Sequence, residues 1–162
     1  MNNILIAYYS FSGTTKAMAD RIAAETGGEL LALIPEMPYD FSRNTASKEV
    51  RGEIARGFCP KLLSEGTSIE VYSTIFVGTP NWFKGMAPPL LTFLRSHDFA
   101  DKTVVPFCTH GGGGFGEIEA RIVEECKPAA TLPGLAGAAD ISQAEIADWL
   151  CQIGLVSGGL GG

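Results

Sequence analysis

Short runs that are apolar at every position alternate with longer helical patterns along this chain, and that alternation constrains the fold more than any other feature. Ile4 to Tyr9 is continuously apolar, the pattern of a strand covered on both faces. Thr14 to Thr26 follows, with Ala17, Met18, Ile22 and Ala24 marking a helix face and Gly27-Gly28 ending it. Glu29 to Ile34 predicts a second strand closed by Pro35, Thr74 to Val77 a third, and Thr103 to Cys108 a fourth. Helices are expected from Pro88 to Arg95, where proline suits a first turn, and from Glu117 to Cys126. Thr131 to Leu135 reads as a fifth strand that Pro133 and Gly134 confine to an edge. Ser142 and Glu145 then make a capping box ahead of the stripe Ile146, Trp149, Leu150 and Ile153. The segment 36–66 is the least legible: Lys48 to Arg56 reads as a charged helix and the rest as loop.

Strands alternating with helices imply an α/β protein, with a parallel sheet between two helical layers. The 162 residues suit one core, so a single domain is expected over 1–154 with a flexible tail over 155–162. Ligands of such sheets bind beyond the carboxyl ends of the strands, where the strand order reverses. The loops after the first, third and fourth strands are therefore where chemistry is expected.

After the first strand, Ser10-Phe11-Ser12-Gly13-Thr14-Thr15-Lys16 sets four hydroxyls around a glycine at the entry to a helix. Hydroxyls, free amides and the helix dipole together suit a phosphate monoester. A plain helix cap needs only one such hydroxyl. Lys16 is readable either as a phosphate partner or as a solvated helix residue. The loop lacks the G-x-x-x-x-G-K-[ST] pattern of nucleoside triphosphatases, which argues against nucleotide hydrolysis.

After the third strand, Pro80, Asn81, Trp82, Phe83, Lys84 and Gly85 put two adjacent aromatics in a loop bounded by proline and glycine. Such a loop can lay a flat ring against a planar ligand, worth about 1 kcal/mol beyond area burial, or simply pack beneath itself. After the fourth strand, Thr109, His110, Gly111, Gly112, Gly113, Gly114 and Phe115 lead to Gly116. Gly111, Gly113 and Gly116 satisfy G-x-G-x-x-G, but a dinucleotide fingerprint belongs at the first strand–helix turn. Here the glycines better serve to bring backbone amides to the edge of a ring. His110 either relays a proton or bonds its own loop, and Cys108, inside an apolar strand, reads as an inert buried thiol.

A formal charge of −6 disfavours nucleic acid and anionic membranes as partners. The apolar run at the start is too short for a signal peptide or membrane span. The four cysteines, Cys59, Cys108, Cys126 and Cys151, are too widely spaced for a zinc site or disulfide framework. Reduced thiols in a cytoplasmic protein fit them best. Two other functions on similar folds fail on particular residues. A phosphoacceptor receiver needs acids where the chain has Tyr8 and Tyr9. A low-molecular-weight tyrosine phosphatase needs an arginine six positions after a cysteine, where Cys59, Cys108, Cys126 and Cys151 are followed by Glu65, Gly114, Leu132 and Ser157.

At three stretches the chain resembles the flavodoxin-like family of FMN proteins, particularly its short-chain branch. They are Tyr8 to Thr15, Gly78-Thr79-Pro80-Asn81-Trp82, and Pro106 to Gly112. The resemblance implies a three-layer sandwich with a five-stranded parallel sheet of order 2-1-3-4-5 and one non-covalent FMN. Ser10, Phe11, Ser12, Gly13, Thr14 and Thr15 would then surround the phosphate. Pro80, Asn81, Trp82, Phe83, Lys84 and Gly85 would border the isoalloxazine, with Thr109, His110, Gly111, Gly112, Gly113 and Phe115 at its polar edge. Lys84 stands where related members often carry glycine. A cation there would favour the anionic reduced flavin, so Lys84→Gln is expected to lower the second-electron potential; an unchanged potential would refute this.

The resemblance implies an FMN-binding redox protein whose partners are redox proteins or a small electron acceptor. An electron carrier of the flavodoxin type is the leading expectation, because no nicotinamide pocket is recognisable. The alternatives are an NAD(P)H-dependent quinone or flavin reductase and a cofactor-free binding module on the same fold.

Overall fold

The computed structural model describes residues 3–63 and 67–156. Strands β1 (Ile4–Tyr8), β2 (Glu29–Ala32), β3 (Thr74–Trp82) and β5 (Thr103–Thr109) run parallel in the order β2-β1-β3-β5. Two short pieces, β6 (Ala130–Thr131) and β7 (Leu135–Gly137), both pair in parallel with β5 along its outer side. The two-residue β4 (Gly85–Met86) folds back antiparallel on the end of β3. Counting only the long parallel strands, with β6 and β7 as the fifth, this is the expected order 2-1-3-4-5. The strand order reverses between β1 and β3, the geometry that opens a crevice for ligands.

Burial explains why β1 is apolar throughout. Leu5 and Ala7 face one core cluster with Ile75, Val77 and Val104; Ile4, Ile6 and Tyr8 face the other with Phe76, Val105 and Phe107. On the first side lie Leu90 and Leu94 of α3 (Pro88–Ser96) and Ile118 and Ile122 of α4 (Ile118–Cys126). On the second lie Met18 and Ile22 of α1 (Thr14–Thr26) and Ile146 and Leu150 of α5 (Gln143–Gln152). α1 stops at Gly27, left-handed at φ 73°, whose amide bonds the Ala23 carbonyl. α5 starts where Ser142 Oγ accepts the Glu145 amide at 3.1 Å.

Three expectations need correction. The third strand runs to Trp82 rather than ending at Val77, because Thr79 and Pro80 stay in register with Cys108 and Thr109. The fifth strand is broken: Leu132-Pro133-Gly134 interrupts it, and a side chain at Gly134 would lie 2.4 Å from the Pro106 carbonyl oxygen. The helix expected over Lys48 to Arg56 is α2 (Ala46–Ala55) and begins two residues earlier, with Ala46 and Val50 buried. Leu155 and Val156 pack against the second cluster. Residues 157–162, and with them the rest of the expected tail, lie outside the described residues. No helix among the described residues is long and apolar enough to cross a membrane.

Candidate functional site

At the carboxyl end of β1 the chain turns at Gly13, held at φ 96°, an N-cap residue with no side chain to cap α1. Ser10 Oγ accepts the amides of Gly13 and Lys16, each at 3.1 Å, and so ties the loop into a concave turn. The amides of Ser12, Thr14 and Thr15 have no hydrogen-bond partner among the described residues. Ser12 and Thr14 place their hydroxyls 3.2 Å apart on the exposed side of the turn. Unsatisfied amides at the positive end of a helix, beside two hydroxyls bonded to each other and exposed, have the chemistry that suits a seat for an anion. Lys16 is not part of it: its ammonium pairs with Asp20 at 2.8 Å, one turn along the exposed helix face.

Thr15 is turned inward. Its hydroxyl meets that of Thr109 at 2.7 Å, with both residues buried. This bond joins the loop after β1 to the loop after β5, so Thr15 and Thr109 brace the site. Their pairing uses one proton and leaves the other hydroxyl a free donor.

The loop after β3 is a tight hairpin. Trp82 pairs with Gly85 and Asn81 with Met86, and the two residues between, Phe83 at φ 55° and Lys84 at φ 69°, are both left-handed. A two-residue hairpin of this kind favours glycine or asparagine at both places, and a left-handed L-residue costs about 1–2 kcal/mol. The lysine therefore occupies a position that glycine fits without strain. Lys84→Gly is expected to stabilise the protein by about 0.5–1 kcal/mol after glycine's own entropy cost, raising Tm by about 2–3 °C. Thermal unfolding measures this, and a lowered Tm would show that the lysine stem contributes packing instead.

Asn81 locks the hairpin to the glycine loop. Its Oδ1 accepts the Lys84 amide at 2.9 Å, and its Nδ2 donates to the Gly114 carbonyl at 2.7 Å. A side chain at Gly116 would lie 2.9 Å from the Lys84 carbonyl oxygen, so the two loops touch through backbone. Glycines 111, 112 and 114 by contrast have open space where a side chain would stand, a cradle facing outward. His110 Nδ1 accepts the Gly112 amide at 2.9 Å. A neutral imidazole so bonded carries its proton on Nε2. Burial raises the Cys108 thiol pKa to about 12, with Glu119 adding to the effect, so the thiol stays protonated.

Trp82 is the centre of an aromatic cluster. Its ring centroid lies 5.5 Å from Tyr9, 5.8 Å from Phe11, 5.1 Å from Tyr39 and 5.1 Å from Phe41, all edge to face. Sequence reasoning missed Tyr9, Tyr39 and Phe41 as neighbours of this platform. The signal existed in Pro38-Tyr39-Asp40-Phe41, two aromatics in a polar, proline-led loop, the same pattern that drew notice to Trp82 and Phe83. Phe83 itself is elsewhere: the Arg51 guanidinium of α2 lies 4.5 Å from its ring centre. Gly85 faces Ile54 of α2, and Phe115 packs against the first core cluster.

The loops after β1, β3 and β5 thus converge: an anion seat, an indole platform and an open glycine cradle, braced by Thr15–Thr109 and Asn81–Gly114. This defines a doubly wound α/β protein whose three loops at the carboxyl edge of the sheet meet in one crevice. A flavodoxin family model matches residues 3–153. The chain belongs to the flavodoxin family, and FMN is the cofactor that membership carries.

Solved structures agree. A proposed flavoprotein from Bacteroides eggerthii is 28% identical with a TM-score of 0.81, over 93% of this chain and 96% of that one. Another from Bacteroides uniformis is 27% identical with a TM-score of 0.83, over 92% and 97%. A flavoprotein from Lactobacillus acidophilus, in complex with FMN, shares the fold at 24% identity and a TM-score of 0.72, over 92% and 99%. No curated protein sequence matches the chain significantly.

Proposed function

We propose that this protein is an electron carrier that holds FMN non-covalently across the three loops. The observation that carries the reading is the set of unpartnered amides at Ser12, Thr14 and Thr15, placed one loop away from the Trp82 platform. In this reading Ser10 shapes the turn, while the amides and the hydroxyls of Ser12 and Thr14 hold the phosphate. Trp82 borders one side of the ring, and the amides of Gly111, Gly113 and Gly114 approach its polar edge, the Gly112 amide being held by His110. FMN supplies the redox chemistry when bound, and the protein supplies orientation and electrostatic tuning.

The absence of an arginine from the anion seat suits this division. Neutral donors and a helix dipole stabilise the phosphate without placing a strong positive field beside the ring. His110 keeps its Nε2 proton available to an acceptor at the open cradle. Thr15, Thr109 and Asn81 fix the spacing between seat, platform and cradle.

The test is a visible spectrum of the protein with FMN, followed by anaerobic reduction in half-equivalent steps. A carrier is expected to bind one FMN and to take up its two electrons in resolved steps. Concerted two-electron uptake with steady oxidation of NAD(P)H would favour a reductase, and the absence of a bound-flavin spectrum would leave only a cofactor-free module.

A further inference from the structure

Tyr39 also lines a second concavity, of about 440 Å³. Its walls are the segment 36–43, α2 and the stretch from Phe58 to Lys61. The volume lies in the range of small-molecule sites, about 300–1,000 Å³. Its floor is apolar and preformed. Ala46 is 3% and Val50 5% exposed, and the buried Thr92 hydroxyl holds the Pro60 carbonyl at 2.7 Å. Phe58 remains 38% and Met37 81% exposed at the mouth.

The polar groups are unevenly matched. Glu36, Asp40, Glu49 and Glu53 stand against Arg43 and Lys61, a formal surplus of two negative charges. Arg43 is engaged by Glu49 at 2.5 Å and Lys61 by Glu36 at 3.8 Å. Asp40 and Glu53 have no ion-pair partner among the described residues. Arg56 lies 5.1 Å from the Phe58 ring centre, and its charge also acts on the Tyr39 hydroxyl. Glu53 is oriented as well as unpaired, because its Oε1 accepts the Tyr39 hydroxyl at 2.7 Å. Burial is the main reason that phenol holds its proton, so it remains the donor in this bond.

We propose that this cavity is a binding site for a small molecule with an apolar, ring-sized body and an amine-type cationic head. The body lies on Ala46, Val50, Pro60 and Phe58, and the head pairs with Glu53. An anionic ligand of the same shape is disfavoured, because it would face the surplus carboxylates while both rim cations are engaged. The site shares Tyr39 with the Trp82 cluster but none of the loops assigned to the phosphate or the cradle.

The probes are tryptamine and indole-3-propionate, titrated by calorimetry at low salt into the protein with and without FMN. Tryptamine is expected to bind at least tenfold more tightly than the carboxylate. Glu53→Gln, which can still accept the Tyr39 hydroxyl, should reduce that preference at least fivefold, and Val50→Leu should weaken tryptamine by filling the floor. The proposal is overturned if neither probe binds, if the carboxylate binds as well as the amine, or if Glu53→Gln leaves the preference intact. Flavin affinity measured on the same samples keeps this outcome separate from the functional reading. Loss of FMN binding counts against that reading alone.

Discussion

Gly78→Ala is expected to destabilise the protein by about 3 kcal/mol or more, beyond the usual range for an overpacked core. Gly78 sits opposite Phe107 where β3 pairs with β5, and the Phe107 ring crosses the space where a side chain would be. A Cβ there would lie 2.1 Å from Cζ of a ring that is itself fully buried. The ring has no exposed direction in which to retreat, and Val105 and Phe76 lie in the same cluster. Against a typical total stability of about 5–15 kcal/mol, that loss lowers Tm by about 10 °C. Urea unfolding of Gly78→Ala and of the double variant Gly78→Ala/Phe107→Leu tests the cause. The second change should recover at least half of the loss, and a single variant within about 0.5 kcal/mol of wild type would contradict the geometry.

The second large effect concerns the platform. Trp82→Ala is expected to weaken FMN binding by about 10- to 100-fold, the span of about 1–3 kcal/mol lost when one aromatic ring is removed from a stacked base. Loss of the indole also unseats the edges of Phe11, Tyr39 and Phe41, so the effect should fall at the upper end of that span. Phe83→Ala, by contrast, should change affinity less than threefold, because the Phe83 ring lies under Arg51 on α2. Titration of flavin fluorescence against each variant separates the two neighbours. Equal losses would mean that Phe83 leaves Arg51 to join the ring when flavin binds.

Reading two adjacent residues of one loop so differently was possible only with the tertiary structure in hand. In the chain, Trp82 and Phe83 are equivalent aromatics between Asn81 and Lys84. The hairpin separates them, since left-handed torsions at Phe83 and Lys84 turn the chain back so that Trp82 and Gly85 pair across it. The same limit applies to Thr15 and Thr109. Each reads as a polar group at the end of a strand, and their mutual bond spans 94 positions of sequence. No local pattern encodes such a partner.

Local signals did well where one physical cause dominates. α1 was legible to its boundaries because Gly13 opens it, Gly27 closes it and the apolar stripe between them is short and regular. The break in the fifth strand was half legible: Pro133 and Gly134 announced an edge, but the close passage of Gly134 by Pro106 is a contact between strands. In the segment 36–66 α2 was legible as a helix but its start was placed two residues late, because it buries few side chains, here Ala46 and Val50, and so carries little apolar periodicity.

By itself the sequence determined the order of strands and helices, the parallel sheet and the three loops at its carboxyl edge. Apolar runs and glycine or proline breaks are local causes with local effects, and handed crossovers leave few ways to assemble them. Tertiary structure alone decided which side chain of each loop faces the site and which braces it. It also decided that Tyr39 and Phe41 reach Trp82 from a distant segment, and that Tyr39 lines a second cavity as well. Those choices depend on which atoms meet after the sheet has formed, and sequence spacing carries no term for that.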